Sequence, residues 1–256
     1  YNLLESDLFY RLLKEPHRLR EEIIQLEPRH LKNPVIIDEV QKIPPLLDEV
    51  HWLIENKRVQ FILCGSSARK LNRGQANLLG GRAWKFLLYP LTSREITNFD
   101  LLRALNAGLL PTHYLSPDPK KSLQAYIQDY LKEEIQAESL TRNLPAFSRF
   151  LDAAGYGNAE LTNYSNIARD CAVDMKTVRE YYQILVDTYL GYLIEPYRKR
   201  KNRAIITSTP KFYFFDVGVA MALSKSALME LRGEVAGKAL EHFILMEIIA
   251  YRGYRE

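Results

Sequence analysis

Apolar positions along the chain follow two different periods. Between Leu4 and Ile24 they fall at Leu8, Phe9, Leu12, Leu13, Leu19, Ile23 and Ile24, the spacing of a helix face, and Pro16 cuts this run into two short helices. Val35-Ile36-Ile37 is different: a β-branched run behind Pro34, which predicts a buried strand. Pro44 and Pro45 then open a helix with Leu46, Leu47, Val50, Leu53 and Ile54 on one face. Phe61 to Cys64 reads as a second buried strand, leaving the sheet at Gly65-Ser66-Ser67. Strand, helix, strand predicts a parallel unit.

From Leu101 to Phe150 the pattern is helical, with Tyr126, Tyr130, Leu131 and Ile135 on one face and Lys132, Glu133, Glu134 and Glu138 on a solvated one. The prolines at 111, 117 and 119 mark the expected domain boundary. Further on, Asn166-Ile167-Ala168 starts a short helix, Ala172-Val173 a turn, and Asp174 caps a second helix carrying Val178, Tyr181 and Leu185 inward. This spacing predicts a helix-turn-helix. Met175, Lys176 and Arg179 then face outward, where a major-groove reader carries its side chains.

Arg198, Lys199, Arg200, Lys201 and Arg203 crowd a six-residue stretch between two strand-like segments, the second beginning at Ala204. Such a stretch suits the wing of a winged helix against phosphates, although a soluble hairpin tip has the same composition. Lys211 to Phe215 is a strongly apolar strand ending at Asp216, with a helix start from Gly218 to Leu223.

Composition narrows the picture only in part. An apolar share of 47% with 26% charged residues is ordinary for a soluble globular protein, and a net charge of +4 names no partner by itself. Cys64 and Cys171 lie far apart without metal-ligand spacing, which argues against a disulfide framework or zinc site and towards a reducing, cytoplasmic compartment. No run of about 18 apolar residues is present, so neither a membrane span nor a signal peptide is expected. The first residue is Tyr1, in the middle of an apolar pattern, so the sequence reads as a piece of something longer.

The chemistry concentrates at the end of the first strand. In open parallel sheets ligands bind outside the carboxyl ends of the strands, and there Asp38 and Glu39 stand side by side. Aspartate can hold Mg²⁺ and the adjacent glutamate can deprotonate an attacking water, which together make a Walker B motif. An ordinary strand ending in two solvated acids would read the same. Ser66 and Ser67, after the neighbouring strand, stand where a polar side chain could position that water, and Arg82, with Arg69 as second choice, could reach a phosphate; a plain Gly-Ser-Ser turn and a solvated loop arginine would read the same. Gly233 to Ala239 is no phosphate-binding loop, since only three residues separate its glycines and Ala239 follows the lysine.

Val35 to Gln41 with Lys42-Ile43-Pro44, Leu63 to Ser67, Gly81-Arg82 and Pro90-Leu91-Thr92 together resemble the AAA+-type ATPases of the AAA_14 group. Asp129 to Ile135, Arg142-Asn143, Thr177-Val178, Lys211 to Tyr213 and Gly237 to Glu241 resemble the DUF4143 region joined to such ATPases. The resemblance implies ATP and Mg²⁺ as cofactors and a P-loop before Tyr1. It also implies a PD-(D/E)xK nuclease-like continuation after Glu256, of which Glu241 would be the first acid.

The expected fold class is therefore α/β. A parallel-sheet P-loop ATPase core lacking its N-terminal part occupies residues 1–95, followed by a helical connector over 96–160, a winged helix over 161–215, and the start of a nuclease-like module over 216–256. The expected activity is Mg²⁺-dependent ATP hydrolysis with Glu39 as base, Asp38 on the metal, and Ser66, Ser67 and Arg82 around the phosphates. Double-stranded DNA is the expected partner of the winged helix, and a homo-oligomer is compatible with the pattern. An adaptor for DNA or protein with a structural ATPase half is the alternative; a nuclease is the third.

Overall fold

The computed structural model describes residues 1–27, 29–65, 83–84, 86–131, 143–197 and 209–255. Its chain forms two compact units, residues 1–86 and 87–256.

The first unit follows the apolar pattern closely. Pro16 separates α1 (Ser6–Lys14) from α2 (His17–Gln25), and Pro45 precedes α3 (Leu46–Lys57). β1 (Val35–Ile37) and β2 (Phe61–Leu63) pair in parallel, with Val35 opposite Phe61 and Ile37 opposite Leu63. β1 is bonded along both edges: Cys64 donates its N–H to Ile37 O, and on the other edge an isolated parallel bridge joins Asn2 to Asp38, with Asp38 N–H reaching Tyr1 O and Leu3 N–H reaching Asp38 O. Leu12, Leu19, Ile23, Ile37, Val40, Leu46, Val50 and Leu53 form the core beneath. Arg20 ties α2 to α3, its Nε 3.2 Å from Glu49 Oε2 and its guanidinium over the Trp52 ring.

The strands are not buried on both faces as their β-branched composition suggests. Ile37 is fully buried, but Ile36 and Ile62, opposite one another in the register, are 52% and 46% exposed. Successive side chains alternate between faces, and among the described residues the helices cover only the Ile37 side.

The second unit is mostly helical. It contains α4 (Leu101–Ala107), α5 (Pro111–Tyr114), α6 (Pro119–Ala125), α7 (Leu144–Tyr156), α8 (Tyr164–Cys171), α9 (Met175–Asp187), β3 (Gly191–Ile194), β4 (Lys211–Phe214), α10 (Val217–Leu223) and α11 (Gly233–Gly253). Gly218 lets α10 cross close to the end of α4: a Cβ there would come within 2.3 Å of Gly108 N. Phe147, Phe150, Tyr181, Tyr182 and Phe212 stack edge to face in the centre of the core.

Residues after the first unit lean on α11. Ser93 donates its backbone N–H and hydroxyl to the Glu247 carboxylate, and Tyr89 packs edge to face on Tyr254. Gly233 to Ala239, rejected above as a phosphate loop, forms the first turns of α11. Among the described residues no helix is long and apolar enough to cross a membrane.

Candidate functional site

Asp38 leaves the carboxyl end of β1 half-buried, and Glu39 follows with a left-handed backbone (φ 58°, ψ 36°). For a side chain with a Cβ this conformation is unfavourable by about 1 kcal/mol or more, so neighbouring bonds must impose it. They are present. Val40, the first residue of a short 3-10 turn (Val40–Lys42), donates its N–H to Cys64 O at 3.1 Å, and Lys42 N–H closes the turn on Glu39 O at 2.9 Å. Lys42 Nζ reaches back to Leu3 O at 3.3 Å. The turn is thereby sewn to both neighbours of β1.

The two carboxylates are held differently. Asp38 Oδ1 accepts the N–H of Glu39 at 3.1 Å. Glu39 Oε2 accepts from the side-chain amide of Gln41 at 2.6 Å, and Gln41 is itself only 8% exposed. Sequence reading placed Gln41 in the motif and gave it no part in the chemistry. Its separation of two residues from Glu39 becomes a contact only because a 3-10 turn curls the chain at that point.

Asp38 fits Mg²⁺. The ion bound to a nucleotide takes one or two protein carboxylates with phosphate and water oxygens completing the shell, and Asp38 offers one at a half-buried strand end. Ser66, Ser67, Arg69 and Arg82 lie outside the described residues. The Cys64 carbonyl accepts the N–H of Val40, the residue after Glu39.

The second expected site lies on α8 and α9. Ala172 makes the turn between them with a left-handed backbone, and Asp174 caps α9 through the Thr177 N–H, which holds its carboxyl below the usual range. Val178, Tyr181 and Leu185 point inward. Lys176 is exposed with its ammonium 4.0 Å from Glu180, and the Arg179 guanidinium lies over the Tyr164 ring. Arg169 stands beside Asp170, so this face carries both signs of charge. Leu161 bridges Lys211 in antiparallel sense, and β3 pairs antiparallel with β4. Arg198, Lys199, Arg200, Lys201 and Arg203 fall between those strands in sequence and lie outside the described residues.

Glu241 sits on α11 as expected but is engaged with β4. Its Oε1 is 2.6 Å from Lys211 Nζ and accepts the Tyr213 hydroxyl, and the lysine holds the carboxyl below its ordinary range. Among the described residues no group of three or more His, Cys, Asp or Glu side chains could hold a metal.

Comparison with known families separates the same two regions. Residues 98–229, just over half of the chain, match the model of DUF8612, a domain of unknown function. The chain belongs to the DUF8612 family. Residues 1–97 match AAA_14, an AAA domain, and form an AAA-type, ATPase-like domain. The DUF4143 region expected over the second half is not what matches there. The DUF8612 span holds α4 to α10 and stops short of α11. The AAA match runs eleven residues past the division at 86/87, through the segment that packs on α11. Among curated proteins and solved structures there is no significant match to the chain.

Proposed function

We propose that the protein is a Mg²⁺-dependent ATPase of AAA type and that its DUF8612 region couples nucleotide turnover to DNA. The observation that carries the ATPase reading is the Asp38-Glu39 pair at the carboxyl end of β1, a strand of a parallel pair, within the residues that match the AAA domain. In this reading Asp38 holds Mg²⁺, which when bound neutralises charge on the phosphate oxygens. Glu39 takes the proton of the attacking water on Oε1, since Oε2 is engaged by Gln41. Ser66 and Ser67 orient that water, and Arg82 offsets charge developing on the phosphoryl group. No stretch of the 256 residues matches a phosphate-binding loop, so the reading rests on the carboxylate end of the site.

Support for DNA as the partner comes from the order of elements in the second unit. Helix α7, a bridge at Leu161, helices α8 and α9 and the antiparallel pair β3-β4 follow the sequence of a winged helix, with α9 as reading helix and the basic stretch between β3 and β4 in sequence. Because the exposed face of α8 and α9 is mixed in charge, attraction to phosphate rests on Arg198 to Arg203. A protein-docking adaptor with an idle ATPase half is the competing reading. The later α/β module and Glu241 as a nuclease acid have weaker support, because Glu241 is paired to β4.

The test is ATP hydrolysis by the full-length protein with and without Mg²⁺. Glu39→Gln is expected to retain nucleotide binding and to lose turnover by at least about 100-fold. Undiminished turnover in that variant would remove Glu39 from the mechanism and favour the adaptor.

A further inference from the structure

We infer that Gln41 is a positioning residue for the hydrolytic step, its buried side-chain amide gripping one carboxylate oxygen of Glu39 and presenting the other to water. The inference rests on the ATPase reading above.

The backbone of Glu39 has little freedom. Its left-handed conformation is bounded by Asp38, which lies in the hydrogen-bonded ladder, and by Val40, which is fully buried and bonded to Cys64 O. What remains to be fixed is the side chain. A glutamate has three rotatable side-chain bonds, and confining them carries an entropic penalty. Gln41 supplies that confinement from a rigid place, because it lies within the 3-10 turn, is 8% exposed, and is flanked by the buried Val40 and by Lys42, which is tied to Leu3 O. Its Nε2 donates to Glu39 Oε2 at 2.6 Å.

A kinetic split separates positioning from mere packing. A carboxylate released to wander among rotamers spends less time aimed at water, which lowers kcat and leaves KM alone. A purely structural glutamine would alter stability and leave the kcat of folded variants unmoved.

The experiment compares wild type, Glu39→Gln, Gln41→Leu and Gln41→Glu in the full-length protein, measuring kcat and KM for ATP together with thermal unfolding. Gln41→Leu is expected to lower kcat by about 10- to 100-fold with KM changed by less than about 3-fold. Gln41→Glu, which keeps the shape but sets a second carboxylate against the first, should lower kcat in the same way. An unchanged kcat in folded Gln41 variants, with Glu39→Gln still inactive, would overturn the inference alone. A wild type without turnover, or an active Glu39→Gln, would overturn the ATPase reading and this inference with it. Failure of both Gln41 variants to fold would make the residue structural and also overturn the inference.

Discussion

The Asp216 carboxylate accepts the backbone N–H of Leu109 at 2.7 Å across 107 residues of chain, while its other oxygen caps α10 through the Val219 N–H at 3.0 Å. Gly108 makes room for it, at φ 72° and with no space for a Cβ against Asp216 Oδ1. Asp216→Ala removes a helix cap and leaves a buried N–H unpaired, so the loss expected is about 2–4 kcal/mol. Asp216→Asn should cost nearly as much, because it offers one oxygen to two donors and turns an N–H toward the second. Urea unfolding of the two variants measures both; an Asn variant as stable as wild type would mean that only one of the two bonds matters.

His242 is fully buried, its Nε2 2.6 Å from Phe214 O and its Nδ1 3.0 Å from the Asn158 amide, whose oxygen accepts the Phe214 N–H. Burial pushes its pKa down to about 4, opposed by the bond to Phe214 and the charge of Glu241. The unfolded chain binds this proton near pH 6.5 and the folded chain does not, so the stabilisation is complete above pH 6.5 and is lost as pH falls towards 4. Over that window the contribution is about 3 kcal/mol. His242→Gln should be less stable at pH 7 and should flatten this part of the stability–pH curve. An unchanged slope in the variant would assign the acid sensitivity to other groups.

Ala172, at φ 54° and ψ 48°, ends α8 in the conformation that glycine adopts without strain. Its side chain is exposed, so little packing is lost on removing it. Ala172→Gly should therefore raise stability by about 0.5–1 kcal/mol, read as an increase in Tm. A lower Tm would show that the methyl group contributes more than the strain it imposes.

Binding to duplex DNA, if carried by the basic stretch, depends steeply on salt, because each neutralised phosphate releases a counterion. Replacing Arg198, Lys199, Arg200, Lys201 and Arg203 by alanine should weaken all sequences alike and flatten the salt slope. Lys176→Ala and Arg179→Ala should instead relax sequence preference, since their helix would face the bases. Equal binding by wild type and the all-alanine variant at low salt, or none by either, would turn the second unit into a protein-docking module.

Much of the local structure was legible in the sequence because its signals are local. Pro16 and Pro45 mark helix ends through the geometry of the pyrrolidine ring, Asp174 and Asp216 precede helices whose first N–H groups they accept, and the spacing of Val178, Tyr181 and Leu185 selects the buried face of α9. The parallel pairing of β1 with β2 followed from a helix intervening between two apolar runs. So did the position of Asp38 and Glu39 at a strand end. Tertiary structure decided what depends on groups distant in sequence or on the shape of one turn. Ile36 looks like Ile37 in the sequence, and only the placement of the helices leaves one exposed and buries the other. Glu241 meets Lys211 and Tyr213 across 30 and 28 residues, and Asp216 meets Leu109 across 107, pairings that no periodicity encodes. Gln41 is close to Glu39 in both senses, yet its amide reaches the carboxylate only because Cys64 and Lys42 fix a left-handed bend between them, a constraint imposed by the assembled sheet.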